Sequence, residues 1–247
     1  MNKVCDYYNN TYCEDNRLKD GCDNRHLVER ENKKKLLDLY VKGKVLDCGA
    51  GTGLYTKYLV EKGFDITACD IVPKHVDMIK EKCKGYSVNC SVQDATALTY
   101  FDETFDTVLI AGPIYHSNEH NQKKILNEAY RVCKKGGIVL VDYLSDIHGM
   151  IQHMLLDNNY FIKNSNDRTV DDIFYYNSYE ELKKLLSTVG FSDLKGYGLD
   201  GITRFLRYDI NKLDKNQIKS WIDFVWKYSD SKSIIDLSEH CVMVVHK

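Results

Sequence analysis

VLDCGAGTG, residues Val45–Gly53, decides how this chain is read. The apolar pair Val45-Leu46 runs into Asp47, and glycines follow at 49, 51 and 53. A short apolar run of this kind, opened by Lys44, reads as a buried strand. Glycines after a strand serve a tight turn or a close approach to the backbone. A dinucleotide loop needs G-x-G-x-x-G. Here the third glycine comes one residue early and Leu54 takes its expected place. No Lys-Ser/Thr pair follows, which also excludes a phosphate-cradling P-loop. What remains is D-x-G-x-G-x-G at a strand end.

Strand and helix alternate outward from this loop. Arg25–Tyr40 has helical spacing, with Leu27, Leu36, Leu37 and Tyr40 near one side. Leu54–Lys62 is helical and ends at Gly63. Asp65–Cys69 reads as a strand, Lys74–Cys83 as a helix, Tyr86–Val92 and Asp106–Ala111 as strands. Glu119–Lys134 is a helix closed by Gly136-Gly137, and Ile138–Tyr143 is a fifth strand. Further on, the pattern predicts helices at Asp146–Asn159, Tyr179–Val189 and Lys212–Tyr228, and strands at Ser192–Leu199 and Cys241–His246. Such alternation predicts an α/β, Rossmann-like, doubly wound sheet covered on both faces. Ligands of such sheets bind at the carboxyl ends of the strands. Asp47–Gly53, Asp70, Asp94 and Gly112–His116 all follow predicted strand ends, so the fold should bring them to one rim.

The chain has 247 residues, 43% hydrophobic and 28% charged, with a formal charge of −2. That is the composition of a globular domain, and it lacks the basic excess of a nucleic-acid binder. The polar N-terminus carries no signal-peptide core, and no apolar run reaches bilayer length. A cytoplasmic protein without a membrane partner is expected. Nine cysteines stand without C-x-x-C or iron–sulfur spacing, so they read as free thiols and no metal site is expected. Two glycosylation sequons, at Asn9 and Asn89, carry no weight without a secretory signal.

The D-x-G-x-G-x-G loop resembles motif I of the class I S-adenosylmethionine-dependent methyltransferases. Asp70 in ITACDI and Asp94 in VQDAT stand where that family has acids for the ribose hydroxyls and the adenine amine. Val132-Cys-Lys-Lys-Gly-Gly resembles the family's turn before the fifth strand, without its proline. The resemblance covers residues 43–143. It implies a seven-stranded sheet with the last strand antiparallel, and S-adenosylmethionine as cofactor. The implied cofactor-binding residues are Asp47, Gly49, Ala50, Gly51, Gly53, Asp70, Ile71, Asp94, Ala95, Ala111 and Gly112. Ala111-Gly-Pro-Ile-Tyr-His-Ser resembles the GPLYHL stretch of one branch of small bacterial methyltransferases. Enzymes that methylate base amines carry Asp/Asn/Ser-Pro-Pro-Tyr/Phe there. The missing polar residue and second proline argue against that activity.

Tyr115 and His116 follow the fourth strand, where the methyl group should emerge. His116 is either a general base or a residue that hydrogen-bonds and shapes the loop. Tyr7, Tyr8, Tyr12, Phe174, Tyr175 and Tyr176 lack helical spacing and are pocket candidates. Trp221, Phe224 and Tyr228 keep helical spacing and read as core. Lys33-Lys34-Lys35 reads as a solvated helix face. The chain is expected to be one domain, with residues 1–27 as a lid and 164–178 and 200–238 as cap insertions. The expected reaction is methyl transfer to a small-molecule acceptor. The alternatives are an RNA or protein methyltransferase, and a non-catalytic cofactor-binding protein.

Overall fold

The computed structural model describes residues 3–10, 23–157, 159, 169–170 and 173–247. The expected N-terminal lid and the first cap insertion fall partly outside them, as does Tyr12. In chain order the strands are β1 (Lys44–Cys48), β2 (Asp65–Asp70), β3 (Val88–Val92), β4 (Phe105–Ile110), β5 (Cys133–Ser145), β6 (Thr169–Val170), β7 (Phe174–Asn177), β8 (Ser192–Gly198) and β9 (His240–His246). The helices used below are α1 (Lys3–Asn10), α2 (Asn24–Tyr40), α3 (Leu54–Glu61), α4 (Pro73–Lys82), α5 (Glu119–Val132), α6 (Asp146–Leu156), α7 (Tyr179–Val189), α8 (Arg207–Ile210), α9 (Lys215–Lys227) and α10 (Lys232–Leu237).

β3-β2-β1-β4-β5 lie side by side and parallel. β9 runs antiparallel to β5, and β8 closes the edge antiparallel to β9. These seven strands make the expected α/β sheet, with the last strand of the sequence antiparallel. A β6–β7 hairpin is added, pairing with β5 at Leu144 and Ser145.

Period-two alternation divides the core between the two faces. On β1, Leu46 and Cys48 face α5 and α7, and Val45 faces α2 and α3. On β5, Val139, Val141 and Tyr143 join the first layer, and Ile138 and Leu140 the second. The same alternation turns Asp47 and Asp142 toward α2 and α3, where two carboxylates must find partners or charge.

Two boundaries differ from the sequence reading. α5 ends at Val132, and Gly136-Gly137 lie inside β5 rather than capping the helix. Gly136 N–H donates to the carbonyl of Lys247, so the pair extends the strand toward the chain end. β3 starts at Val88, two residues later than expected, and Tyr86 before it is exposed. Among the described residues, no helix is long and apolar enough to cross a membrane.

Candidate active site

The loop after β1 is held by its neighbours on both sides. Gly49 and Ala50 N–H groups donate to the carbonyl of Cys69 at the end of β2. Ala111 N–H, after β4, donates to the carbonyl of Cys48. Gly49 has φ +77°, and a Cβ there would lie 2.4 Å from Cδ of Pro113 and 2.9 Å from the Ala111 carbonyl oxygen. The first glycine of the motif thus lets the loops after β1 and β4 pack together. Gly63 is a built-in control: its φ is +88°, with open space where a Cβ would go. Gly63→Ala should show only the left-handed strain, about 1–2 kcal/mol. Gly49→Ala is expected to add the collision, lowering Tm further and weakening cofactor binding at least tenfold. Thermal melts and calorimetry on the two variants separate the terms.

A cavity of about 370 Å³ opens beside these loops. Gly49, Gly51, Asp70, Ile71, Asp94, Ala95, Ala111, Gly112, Tyr115 and His116 all line it, so most of the expected site residues do converge. Asp70 is 7% exposed and already organises the rim. Its Oδ2 accepts from Gly51 N–H at 2.8 Å, and its Oδ1 accepts from Val72 N–H at 2.9 Å. His75 Nδ1, in the first turn of α4, lies 3.2 Å from the same Oδ1 and donates to it. Asp94 is exposed, and its Oδ1 accepts from both the N–H and the hydroxyl of Thr96.

The loop after β4 is fixed from below by Gln122 of α5, which is 2% exposed. Its amide nitrogen donates to the carbonyls of Ile114 and Ser117 and to Asn177 of β7. His116 Nδ1 faces the carbonyl of Ile173 at 2.9 Å, so that nitrogen carries the proton. Its Nε2 lies 2.9 Å from the Tyr8 hydroxyl and therefore accepts. Burial pulls the imidazole down to about 4, against the Ile173 carbonyl and the Asp70 charge, which raise it. The ring is neutral at pH 7, with its lone pair held inside the site. Tyr8 and Val4 bring α1 over the cavity. Tyr7 packs edge-on against Phe174, and Phe174 lies against both Tyr115 and His116. Tyr175 contributes its backbone N–H to the Tyr115 carbonyl, and Tyr176 packs on Gly149 of α6.

Asp47 and Ala50 line a second, smaller cavity, which meets the first at Gly49, Ala111 and Tyr115. Asp47 is 1% exposed and accepts from the Thr56 hydroxyl of α3 at 2.6 Å. Glu29, Lys33, Tyr55, Asp142 and His240 also line this space. Lys33 is 1% exposed and paired with Asp142, which corrects the reading of the lysine run as solvated. Glu29, Lys33 and Leu37 share one face of α2 at four-residue steps, and that face is buried throughout. Lys34 and Lys35 point outward to Glu31 and Asp223.

Some expected residues lie elsewhere. Gly53 lines neither cavity; at φ +82° it caps α3 and packs against Ile79. Of the α9 aromatics read as core, Trp221 is half-buried, packs against the Val28, Ile218 and Val225 cluster and donates from Nε1 to the Thr203 hydroxyl, whereas Phe224 and Tyr228 are not core. Phe224 and Tyr228 are exposed, Trp221 stacks on Phe224, and α9 buries Ile218, Ile222 and Val225 instead. The apolar stripe is offset from the aromatic one, and propensity for one helix does not say which stripe wins. Residues 200–238 line neither cavity; within them, α9 packs on α2. Tyr8, a pocket candidate in the sequence, does line the larger cavity, whereas His75 and Gln122 were missed. Only His75, five residues after Asp70 in a helix start, carries a local signal.

Residues 45–137 match the family model described as a methyltransferase domain. An uncharacterized protein of Methanocaldococcus jannaschii is 27% identical over 179 residues, 72% of this chain and 76% of that protein. A demethylmenaquinone methyltransferase of Renibacterium salmoninarum is 36% identical over 99 residues, 40% of each chain. The chain therefore spans less than half of the quinone enzyme it matches. An S-adenosylmethionine-dependent methyltransferase structure from Archaeoglobus fulgidus superposes with TM-score 0.60 at 19% identity, over 90% of this chain and 94% of that one. Residues 45–137 thus match a methyltransferase domain, and the chain as a whole has the fold of the S-adenosylmethionine-dependent methyltransferase structure it superposes on.

Proposed function

We propose that this protein transfers a methyl group from S-adenosylmethionine to a small-molecule acceptor bound among Tyr8, Tyr115, His116 and Phe174. The residues present suit the cofactor. A cavity of about 370 Å³ is in the range of small-ligand sites. Asp70 is a carboxylate matched to two adjacent hydroxyls, and Asp94 is an acceptor for an amine. Asp47, Glu29 and Lys33 offer both charges to a zwitterionic amino-acid end. When bound, the cofactor supplies an electrophilic methyl group on a sulfonium. Ala50, Gly51, Ile71, Ala95, Ala111 and Gly112 form the surrounding wall.

The chain's own part is to align the acceptor and keep water away. The observation that carries the reading is the Tyr8–His116 hydrogen bond: a helix laid over the cavity offers a hydroxyl to a neutral, tautomer-fixed imidazole. An acceptor bearing a hydroxyl or amine takes the same lone pair. α1 acts as a lid over the cavity. The aromatic rings around His116 favour a flat, apolar acceptor, and the quinone methyltransferase relatives fit that chemistry. The GPIYHS loop supports a relationship to the GPLYHL-like branch. A cytoplasmic enzyme acting without nucleic acid follows from the same composition.

The test is an acceptor screen with isotopically labelled S-adenosylmethionine and cell extract fractions, followed by mass identification of the product. Label in a small molecule and release of S-adenosylhomocysteine support the reading. Label only in RNA or protein fractions would replace it. Tight cofactor binding with no transfer to any fraction would leave a binding protein in its place.

A further inference from the structure

Three carboxylates and three imidazoles meet at the end of the sheet beyond the smaller cavity. Asp200 follows β8, Glu239 precedes β9, and His240 begins it. Glu29 and His26 come from the start of α2, and His148 from α6. His240 Nδ1 lies 3.0 Å from Asp200 Oδ2, 3.5 Å from Glu29 Oε2 and 4.0 Å from Glu239 Oε2. His26 Nδ1 lies 3.8 Å from the same Glu29 oxygen. Donor atoms of Asp200, Glu239 and His240 all fall within 4.8 Å of one another.

His148 supplies an independent sign. It is 1% exposed. Its Nδ1 faces the Leu237 carbonyl at 3.0 Å and so carries the proton. Its Nε2 has no hydrogen-bond partner among the described residues and points at Glu239 Oε2, 4.0 Å away. In the neutral ring two lone pairs then face each other in a buried space. Arg204 Nε pairs with that Glu239 oxygen, but it leaves the His148 lone pair without a donor or a cation among the described residues.

The charge count agrees. Glu29, Asp200 and Glu239 carry three negative charges. Arg204, paired with Glu239 and 3.1 Å from its other oxygen, returns one. Lys33 and Asp142 form a separate pair. Carboxylates gathered this closely around imidazoles make surroundings suited to a cation.

We propose that Asp200, Glu239 and His240, with Glu29 and His148, form a binding site for one divalent transition-metal ion. An ion about 2.1 Å from its donors spaces neighbouring ligand atoms about 3.0–3.4 Å apart. The 3.0–4.0 Å separations here need only small side-chain shifts to close on an ion. Mixed imidazole and carboxylate donors without thiolate suit Zn²⁺, Mn²⁺ or Fe²⁺. The donors span Glu29 to His240, which is why no metal-ligand spacing marks them in the sequence. His240 and Glu29 also line the smaller cavity, so the ion would form its far wall.

Full-length protein stripped with a chelator and titrated with Zn²⁺ and with Mn²⁺ tests this. One ion per chain by calorimetry is expected, with a rise of several degrees in Tm. Asp200→Asn and His240→Ala should each weaken binding at least tenfold. Circular dichroism and a cooperative melt like that of the metal-free wild type would show that they fold. X-ray absorption on the wild-type zinc form should find nitrogen and oxygen donors and no sulfur, and it serves even if a variant fails to fold. Wild-type protein that binds neither ion, sulfur ligation, or folded variants that keep full affinity would each overturn the site.

Discussion

Asp70→Ala is expected to weaken binding of S-adenosylhomocysteine at least a hundredfold, with the sheet still folded. Two losses combine. The first is local: Gly51 and Val72 N–H groups lose their acceptor in a region where Asp70 is 7% exposed. An unpaired buried donor costs about 1–3 kcal/mol. The loop then relaxes toward water and no longer presents Gly51 to the cavity. The second loss is the direct contact of the carboxylate with the ribose hydroxyls, about 1.5–3 kcal/mol for charge-assisted bonds. A hundredfold is about 2.7 kcal/mol; either loss alone covers part of that or at most about all of it, and the two together, about 2.5–6 kcal/mol, reach it. Asp70→Asn keeps one acceptor oxygen and should fall between. His75→Ala removes only a flanking donor and should cost less than tenfold. Calorimetry on the three variants, with circular dichroism for the fold, orders them. Wild-type affinity in Asp70→Ala would remove Asp70 from the cofactor site.

The rim was legible in the sequence because its residues are tied to strand ends. Asp47, Gly49, Asp70 and Asp94 each follow an apolar run, and a parallel sheet puts all such positions on one edge. Which cavity each residue faces was not legible. Asp47 and Cys48 differ by one position, and the pleat sends Asp47 to the α2 face. Lys33 shows the same limit from the helix side. A run of three lysines has no polarity of its own, and only the burial of Glu29 and Leu37 a turn away on each side selects the middle of the face. The α9 aromatics failed for a different reason. Phe224 and Tyr228 belong to a stripe as regular as that of Ile218, Ile222 and Val225, yet the face against α2 takes the aliphatic one, with Trp221 alone of the aromatics packed beside it. Gly49 was flagged correctly as special, but its neighbour is Pro113, sixty-four positions on, which no local pattern supplies. Tyr8 and His116 are 108 positions apart and meet only because α1 crosses the rim.

His116→Ala is expected to lower kcat/KM about a hundredfold and to leave S-adenosylhomocysteine affinity within twofold. Nδ1 is held by the Ile173 carbonyl, so Nε2 offers one lone pair in a fixed direction. The acceptor's donor group is expected to displace the Tyr8 hydroxyl from it, and misplacing a reacting group by about 1 Å costs about a hundredfold. Burial holds the ring at about 4. A base that weak does not hold a proton taken from an ordinary hydroxyl at neutral pH, because an efficient general base lies near the working pH. His116 therefore orients the acceptor. The pH profile follows in sign. A histidine lowered to about 4 keeps its lone pair at every pH above that value and loses it only below. The acid limb of kcat/KM due to His116 should fall near pH 4, well under the ordinary 6.5 of histidine. The same shift makes the fold less stable as pH falls from about 6.5 to 4, since the unfolded chain takes the proton first. Tyr8→Phe keeps the ring over His75 and His116 but removes the competing donor. It should change kcat/KM less than tenfold and leave the acid limb in place. An acid limb near 6.5 that disappears in His116→Ala would make the residue a titrating general base, and a full-rate His116→Ala enzyme would remove it from the reaction.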